Sequence, residues 1–180
     1  MNLPPSRTYA GWLAILRILT GFIWLIHGVP KFLRSDEFMP PNGFIVNYIT
    51  TGVARTTGPY HDFLVNVVQP NIGVFAELVR LGEVCVGISL VLGLLSRLGG
   101  LVGMILTLDY MAARGGLDTF NAWSSVDACM MLLSAVNVVL PTGRFLGVGA
   151  LFGRRPARRA IVPEVVPERP LDRPTAPPGP

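Results

Sequence analysis

The sequence predicts an all-α membrane protein in which four transmembrane helices form a bundle. Its composition favours this class, because 51% of the 180 residues are hydrophobic and only 14% are charged. A soluble domain carries about a quarter charged residues, so much of this surface is expected to meet lipid. The third observation is a set of four long apolar stretches, outside which lie most of the prolines and charges.

The first predicted span covers residues 10–29, which is about the length that crosses the hydrocarbon core of a bilayer. At the helical period its polar and small residues, among them Arg17, Trp24 and His27, fall on one face together with Lys31. A cleaved signal peptide is disfavoured because Arg17 lies inside the run and no small-residue cleavage site follows. Proline cannot continue the backbone hydrogen bonding of a helix, so this helix is expected to end at Pro30.

Residues 31–71 are too polar to span and are predicted to form an outer loop. Amphipathic patterns around Phe44–Ile49 and Tyr60–Val67 predict two short helices lying at the membrane interface.

The remaining spans are predicted at residues 72–95, 98–113 and 126–140. The turn between the first two of these is very short, so they are expected to be antiparallel neighbours. Gly99 and Gly103 are spaced to let membrane helices approach closely. Ser125 is predicted to cap the fourth span.

Residues 154–180 begin with the basic run RRPARR and continue as a proline-rich segment that we expect to be disordered. The membrane domain is accordingly predicted over residues 1–153. Cytoplasmic loops of membrane proteins are enriched in Lys and Arg, so the tail is expected in the cytoplasm. An even number of spans then places both termini there, in a multi-pass protein of the cell membrane. The net charge of +4 is concentrated in this tail and reflects topology rather than nucleic-acid binding.

Ionisable residues inside the apolar stretches are the candidate functional residues. Each costs roughly 2.5–3.5 kcal/mol to insert into hydrocarbon, so such groups are expected to face protein or a wet cavity. The sequence predicts one buried polar cluster from residues of the first two spans: Arg17, His27, Glu77, Arg80 and Glu83. Cys85 and Cys129 show no metal-binding spacing, and no metal site is predicted.

Two interpretations of this cluster remain open. In the first, its polar groups hold together helices that have no hydrophobic drive to associate in lipid. In the second, they line a cavity for a quinone headgroup, whose carbonyls need hydrogen-bond donors and whose reduction needs two protons.

Three stretches resemble a known family. They are LRILTGFIWLIHGVPKFL in the first span, GEVCVGISLVLGLLSRLGGLVGMILTLDYM across the second and third, and LPTGRFLGVGALF after the fourth. They are similar to the DoxX family (DoxX/DoxD-like) of small four-helix integral membrane proteins, over roughly residues 14–152. The positions that match the family's motifs are Arg17, His27, Gly28, Lys31, Glu83 (or, as the alternative, Glu77), Arg97, Gly143 and Arg144. Gly147 and Val148 depart from the usual Leu-Asp.

The resemblance implies a fold more directly than a reaction, because one fold supports many activities. The family includes a subunit resembling the quinone-reducing part of thiosulfate:quinone oxidoreductase. The first predicted function is therefore a quinone-linked redox subunit, acting with a partner redox protein or on a small sulfur compound. The alternative is a non-enzymatic scaffold or small-solute transport protein, so the enzyme assignment stays open. The expected partners are the lipid bilayer and either that redox protein or a second copy of the chain.

Overall fold

The computed structural model describes residues 5–115, 117 and 125–140, with side chains from Tyr9 onward. All regular structure in these residues is helical, in agreement with the predicted all-α class. The α-helices are α1 (Pro5–Leu33), α2 (Ser35–Phe38), α3 (Phe44–Arg55), α4 (Gly58–Phe63), α5 (Ile72–Leu92), α6 (Ser96–Ala113) and α7 (Val126–Val139). A π-helical turn (Leu64–Val68) and a 3-10 turn (Gln69–Asn71) join α4 to α5.

Helix α1 continues past Pro30 to Leu33, so the expectation that Pro30 ends the helix was wrong. The backbone beyond it stays helical, and Arg34 N–H donates to the Pro30 carbonyl at 2.9 Å. A proline removes one backbone donor, and here that loss falls one turn from the helix end. The extra turn keeps Lys31 on the helix face that carries Trp24 and Gly28.

Helices α1 and α5 pack closely along their lengths because small residues face each other. A Cβ atom at Gly87 would lie 2.6 Å from Leu25 Cγ, and one at Gly28 would lie 2.9 Å from Glu83 Cβ. Neither site has room for a side chain. The two backbones therefore approach at these glycines.

Helix α6 packs against α5 on one side and α7 on the other. Gly100 and Gly103 of α6 face Ser134 of α7. A Cβ added at Gly100 would lie 2.7 Å from the Ser134 carbonyl oxygen, and one added at Gly103 would lie 2.8 Å from the Ser134 Oγ. Trp24, Val86, Leu90 and Met130 form the buried centre of the bundle. As the sequence predicts, the Ser125 side chain caps α7, accepting from the Ala128 N–H at 3.3 Å.

The loop helices pack onto one end of the bundle over a second apolar cluster. Its buried members are Phe38, Ile45, Ile49, Leu64, Val68 and Ala76. Gly52 of α3 meets the end of α6, with an added Cβ 2.9 Å from the Ala113 carbonyl. Helices α3 and α4 thus cover this end of the bundle.

Among the described residues, one helix is long and apolar enough by itself to cross a membrane, namely α1 over Tyr9–Leu33. Helix α7 is apolar but shorter, and α5 carries Glu77, Arg80 and Glu83. The predicted tail, residues 154–180, and the motif residues Gly143 and Arg144 lie outside the described residues.

Candidate functional site

A cavity of about 520 Å³ lies in the end of the bundle that α3 and α4 cover. Its wall is mostly apolar and aromatic. The polar residues that line it come from α1, α3, α5, α6 and α7: His27, Lys31, Tyr48, Glu83, Thr107, Asp109, Tyr110, Arg114 and Asp127. Large pockets with a few convergent polar groups are the usual form of a small-molecule site.

A hydrogen-bonded triad of Lys31, Glu83 and Tyr110 joins three helices at this cavity. Lys31 Nζ lies 2.6 Å from both carboxylate oxygens of Glu83. The Tyr110 hydroxyl donates to Glu83 Oε1 at 2.6 Å. Glu83 is 2% exposed and Lys31 is 22% exposed. A buried carboxylate needs a cation and further donors, and here it has both.

Aromatic rings surround the ammonium of Lys31. Its Nζ lies 5.1 Å from the ring centroid of Phe38 and 5.8 Å from that of Tyr110. These distances are within the range in which a ring face attracts a cation. The triad therefore sits between the apolar cluster under the loop helices and the bundle core.

Two tyrosines of the loop helices tie the cover to α6. The Tyr60 hydroxyl donates to Asp109 Oδ1 at 2.7 Å, and the Tyr48 hydroxyl donates to the Tyr110 carbonyl at 2.9 Å. Burial raises the pKa of Tyr60, and the neighbouring Asp109 carboxylate raises it further. Burial also raises the pKa of Tyr48, against the opposing effect of Arg114. Both phenols consequently remain hydrogen-bond donors at neutral pH.

The ends of α6 and α7 are joined beside the cavity by an ion pair. Arg114 Nη1 lies 2.8 Å from Asp127 Oδ2, with the arginine half exposed and the aspartate largely buried. Both residues of this pair line the cavity.

The structure distributes the predicted cluster over three places instead of one. Glu83 belongs to the triad, and His27 lines the same cavity from an exposed position on α1. Arg17 is fully buried near the other end of α5. The guanidinium packs against the backbone of Gly93, where an added Cβ would lie 2.7 Å from the guanidinium carbon. Gly93 has a left-handed φ of +68°.

Glu77 and Arg80 form the third group, outside the cavity lining. Arg80 Nε donates to Glu77 Oε2 at 2.6 Å, and Arg80 Nη1 donates to Ser35 Oγ at 3.1 Å. The guanidinium also lies 4.5 Å from the ring centroid of Phe32. Arg80 pairs with Glu77 on its own helix, whereas Glu83 turns toward α1 and α6.

Several cavity residues were not among the predicted candidates. The sequence placed Lys31 on the same helix face as Trp24 and His27 and matched it to a family motif, but the predicted cluster did not include it. Tyr110 was placed on the small-residue face of the third span, but its contact with Glu83 could not be predicted because that contact depends on how α6 packs against α5.

Comparison with protein families matches residues 12–161 to the family described as TQO small subunit DoxD. No curated protein and no solved structure matches the chain. The matched residues include every residue that lines the cavity.

Proposed function

This chain belongs to the family of the TQO small subunit DoxD, a membrane family, and we propose that it is the quinone-binding subunit of a membrane redox complex. The observation that carries the proposal is the Lys31–Glu83–Tyr110 triad at a largely apolar cavity. A subunit of this kind acts with a partner protein. The proposed electron donor is that partner or a small sulfur compound.

The cavity suits a flat ring that carries two carbonyl oxygens. Aromatic side chains such as Phe38, Phe44 and Phe75 offer faces for an apolar ring. Lys31 has three N–H donors, and the contacts to Glu83 leave capacity for another acceptor. The indole N–H of Trp24, which lines the cavity, is buried without a hydrogen-bond partner among the described residues. Two donors could therefore serve the quinone carbonyls.

Reduction of a quinone to a quinol takes two electrons and two protons. The donor supplies the electrons, and groups close to the carbonyls must supply the protons. The ammonium of Lys31 and the hydroxyl of Tyr110 both hold transferable protons and both touch Glu83. In the proposed role, Glu83 orients these two groups and stabilises the positive charge of Lys31.

The proposed arrangement in the membrane follows the four long helices. In this arrangement α1, α5, α6 and α7 cross the bilayer, and α3 and α4 lie on the outer side. The support is the close packing of α5 with α1 and α6, and of α6 with α7, together with the apolar surfaces that these helices expose. Both termini are then cytoplasmic, and the cavity lies in the outer half of the bundle.

Quenching of Trp24 fluorescence tests quinone binding directly. In a chain carrying Trp12→Phe and Trp123→Phe, Trp24 is the remaining tryptophan and lines the cavity. We expect saturable quenching by decylubiquinone or by phylloquinone in detergent. Lys31→Gln should weaken that binding by about tenfold, the value of a hydrogen bond to a charged group.

The matched control is Arg34→Gln, which also removes a cation. The Arg34 side chain is 70% exposed, and its Nη1 lies 3.8 Å from Glu37 Oε2. This variant should bind quinone as the parent chain does. Quenching that never saturates, or equal binding by both Gln variants, would remove the support for a quinone site. Co-purification of a partner without any quinone binding would then favour the scaffold alternative.

A further inference from the structure

We propose that the seam between α5 and α6 holds the isoprenoid tail of the quinone whose headgroup occupies the cavity, an inference that rests on the proposed function. A second hollow of about 310 Å³ lies in this seam, toward the turn that joins the two helices. We call it the seam groove. Its lining residues are Cys85, Val86, Ile88, Ser89, Leu92, Leu94, Leu95, Leu98, Gly99 and Val102.

The cavity and the seam groove lie along the same faces of the two helices. On α5, Leu78 of the cavity and Cys85 of the groove are seven residues apart, which is two helical turns on one face. On α6, Ile105 of the cavity and Leu98 of the groove have the same spacing. Because the helices are antiparallel, both steps lead away from α3 and α4. The groove is therefore the continuation of the cavity toward the inner end of the seam.

Gly82 lies at the junction of the two spaces. It is one turn from both Leu78 and Cys85, and it faces Leu106 across the seam. An added Cβ would lie 3.2 Å from Leu106 Cδ1, a flexible side-chain end. The Leu106 side chain, which also lines the cavity, fills the space in front of Gly82, so the tail reaches the groove when this flexible side chain changes rotamer.

The groove has the chemistry of a hydrocarbon site. Its polar side chains are Cys85 and Ser89, and the Ser89 hydroxyl already donates to the Leu94 carbonyl at 2.6 Å. Nothing else in the lining can orient a polar ligand. The groove extends from Cys85 to Leu92, about 11 Å of helix axis.

The cavity also opens on the side of this seam. Leu78 and Ile105 line it, although they are 58% and 57% exposed on the outer surfaces of α5 and α6. On the side of the loop helices, the cavity is lined by the buried residues Ile45, Ile49 and Leu64. A ligand joined to an apolar chain can thus place its ring in the cavity and its chain in the groove.

The test compares quinones with and without a tail in chains whose seam has been filled. Gly82→Phe places a ring at the junction, and Cys85→Trp fills the groove from its exposed rim. The control is Leu81→Phe, at an exposed apolar position next to Gly82 that lines neither space. The probes are decylubiquinone against its tail-less headgroup, and phylloquinone against menadione, measured by Trp24 quenching. Cys85→Trp adds a second tryptophan, which would fluoresce together with Trp24. Binding to this variant is therefore measured by displacing a bound tailed quinone with the tail-less one.

We expect Gly82→Phe and Cys85→Trp to weaken binding of the tailed quinone by about tenfold, as when roughly two methylene groups leave an apolar site. Binding of the tail-less quinone should change less than about twofold. Partition of the tail into detergent is the same for every variant, so the ratio of the two affinities isolates the groove. Cys85 is exposed, so its replacement preserves the packed core should Gly82→Phe fail to fold.

The tail site would be overturned if the ratio of the affinities for tailed and tail-less quinone were the same in the filled variants, in Leu81→Phe and in the parent chain. The groove would then be left to ordinary lipid chains. In that outcome the headgroup would still bind, and the proposed function would stand. Absence of binding by either form of quinone to the parent chain would instead refute the proposed function, and the tail site with it.

Discussion

Lys31 and Glu83 show how the cost of a buried charge shapes this site. Glu83 is nearly inaccessible to solvent, and its carboxylate accepts from the ammonium of Lys31 and the hydroxyl of Tyr110. Without these donors the carboxylate would have to take up a proton or leave the bundle. The same contacts that stabilise Glu83 hold Lys31 at the cavity.

Lys31→Leu should lower the melting temperature of the detergent-solubilised protein strongly. Removing one partner of a buried ion pair costs about 3–5 kcal/mol, because the remaining charge stays desolvated. Glu83→Leu in the same chain should recover most of the loss, because the buried carboxylate that Lys31→Leu left without its ion-pair partner is then removed as well. Arg34→Leu, which removes an exposed cation, is the control and should be neutral. A double variant as unstable as Lys31→Leu would contradict the pairing.

The raised pKa of Tyr60 predicts that the protein loses stability in alkaline solution. Its folded pKa is raised above the unfolded value, because burial and Asp109 disfavour the phenolate. The associated stability is fully present below the unfolded pKa and is lost as pH rises from there toward the folded pKa. The phenolate absorbance of Tyr60, taken as the difference between the parent chain and Tyr60→Phe, should therefore appear together with the loss of helical circular dichroism. In Tyr60→Phe the alkaline decline should be shallower. Ionisation of Tyr60 in a fully folded protein would show that its hydroxyl is not buried.

At the scale of elements, the α1–α5 contact sets the geometry of the triad. Gly28 and Gly87 bring the helix backbones close enough for Lys31 to reach Glu83. Larger side chains at these positions would separate the helices and lengthen that ion pair. Helix packing and the site are thus coupled through two glycines.

Gly87→Val should destabilise the protein by about 1–3 kcal/mol more than a helix-propensity effect alone, because it overpacks a closed contact. Gly11→Val is the matched control, since Gly11 lies on α1 with nothing within 4 Å of an added Cβ. Thermal unfolding of both variants in one detergent measures the difference. Equal melting temperatures would mean that α1 and α5 do not pack closely at Gly87.

The sequence predicted the helices more fully than the site. Apolar runs locate α1, α5, α6 and α7, because lipid or a core must cover such surfaces. It did not predict the separation of Glu83 from Glu77 and Arg80, since residues three apart can turn to different neighbours. That outcome depends on α1, whose extra turn supplies Lys31 to one carboxylate and Phe32 to the arginine. Side-chain partners across helices cannot be derived from the period of one helix.

For the whole molecule, the proposed topology predicts which segments a membrane-impermeant thiol reagent reaches. In a chain lacking Cys85 and Cys129, Thr56→Cys between α3 and α4 should be labelled in intact cells. Thr175→Cys in the tail should be labelled only after the cells are opened, because four crossings and the basic run RRPARR place it in the cytoplasm. Labelling of Thr175→Cys in intact cells would contradict the proposed orientation.

The turn of α1 beyond Pro30 also constrains which sequence changes the chain can tolerate. Gly28 fixes α1 against α5, and Lys31 follows it by three residues on the same continuous helix. Inserting or deleting one residue between them would rotate the lysine by about 100° around the helix and direct it away from Glu83. This short segment should therefore accept many replacements of its amino acids and no change in its length.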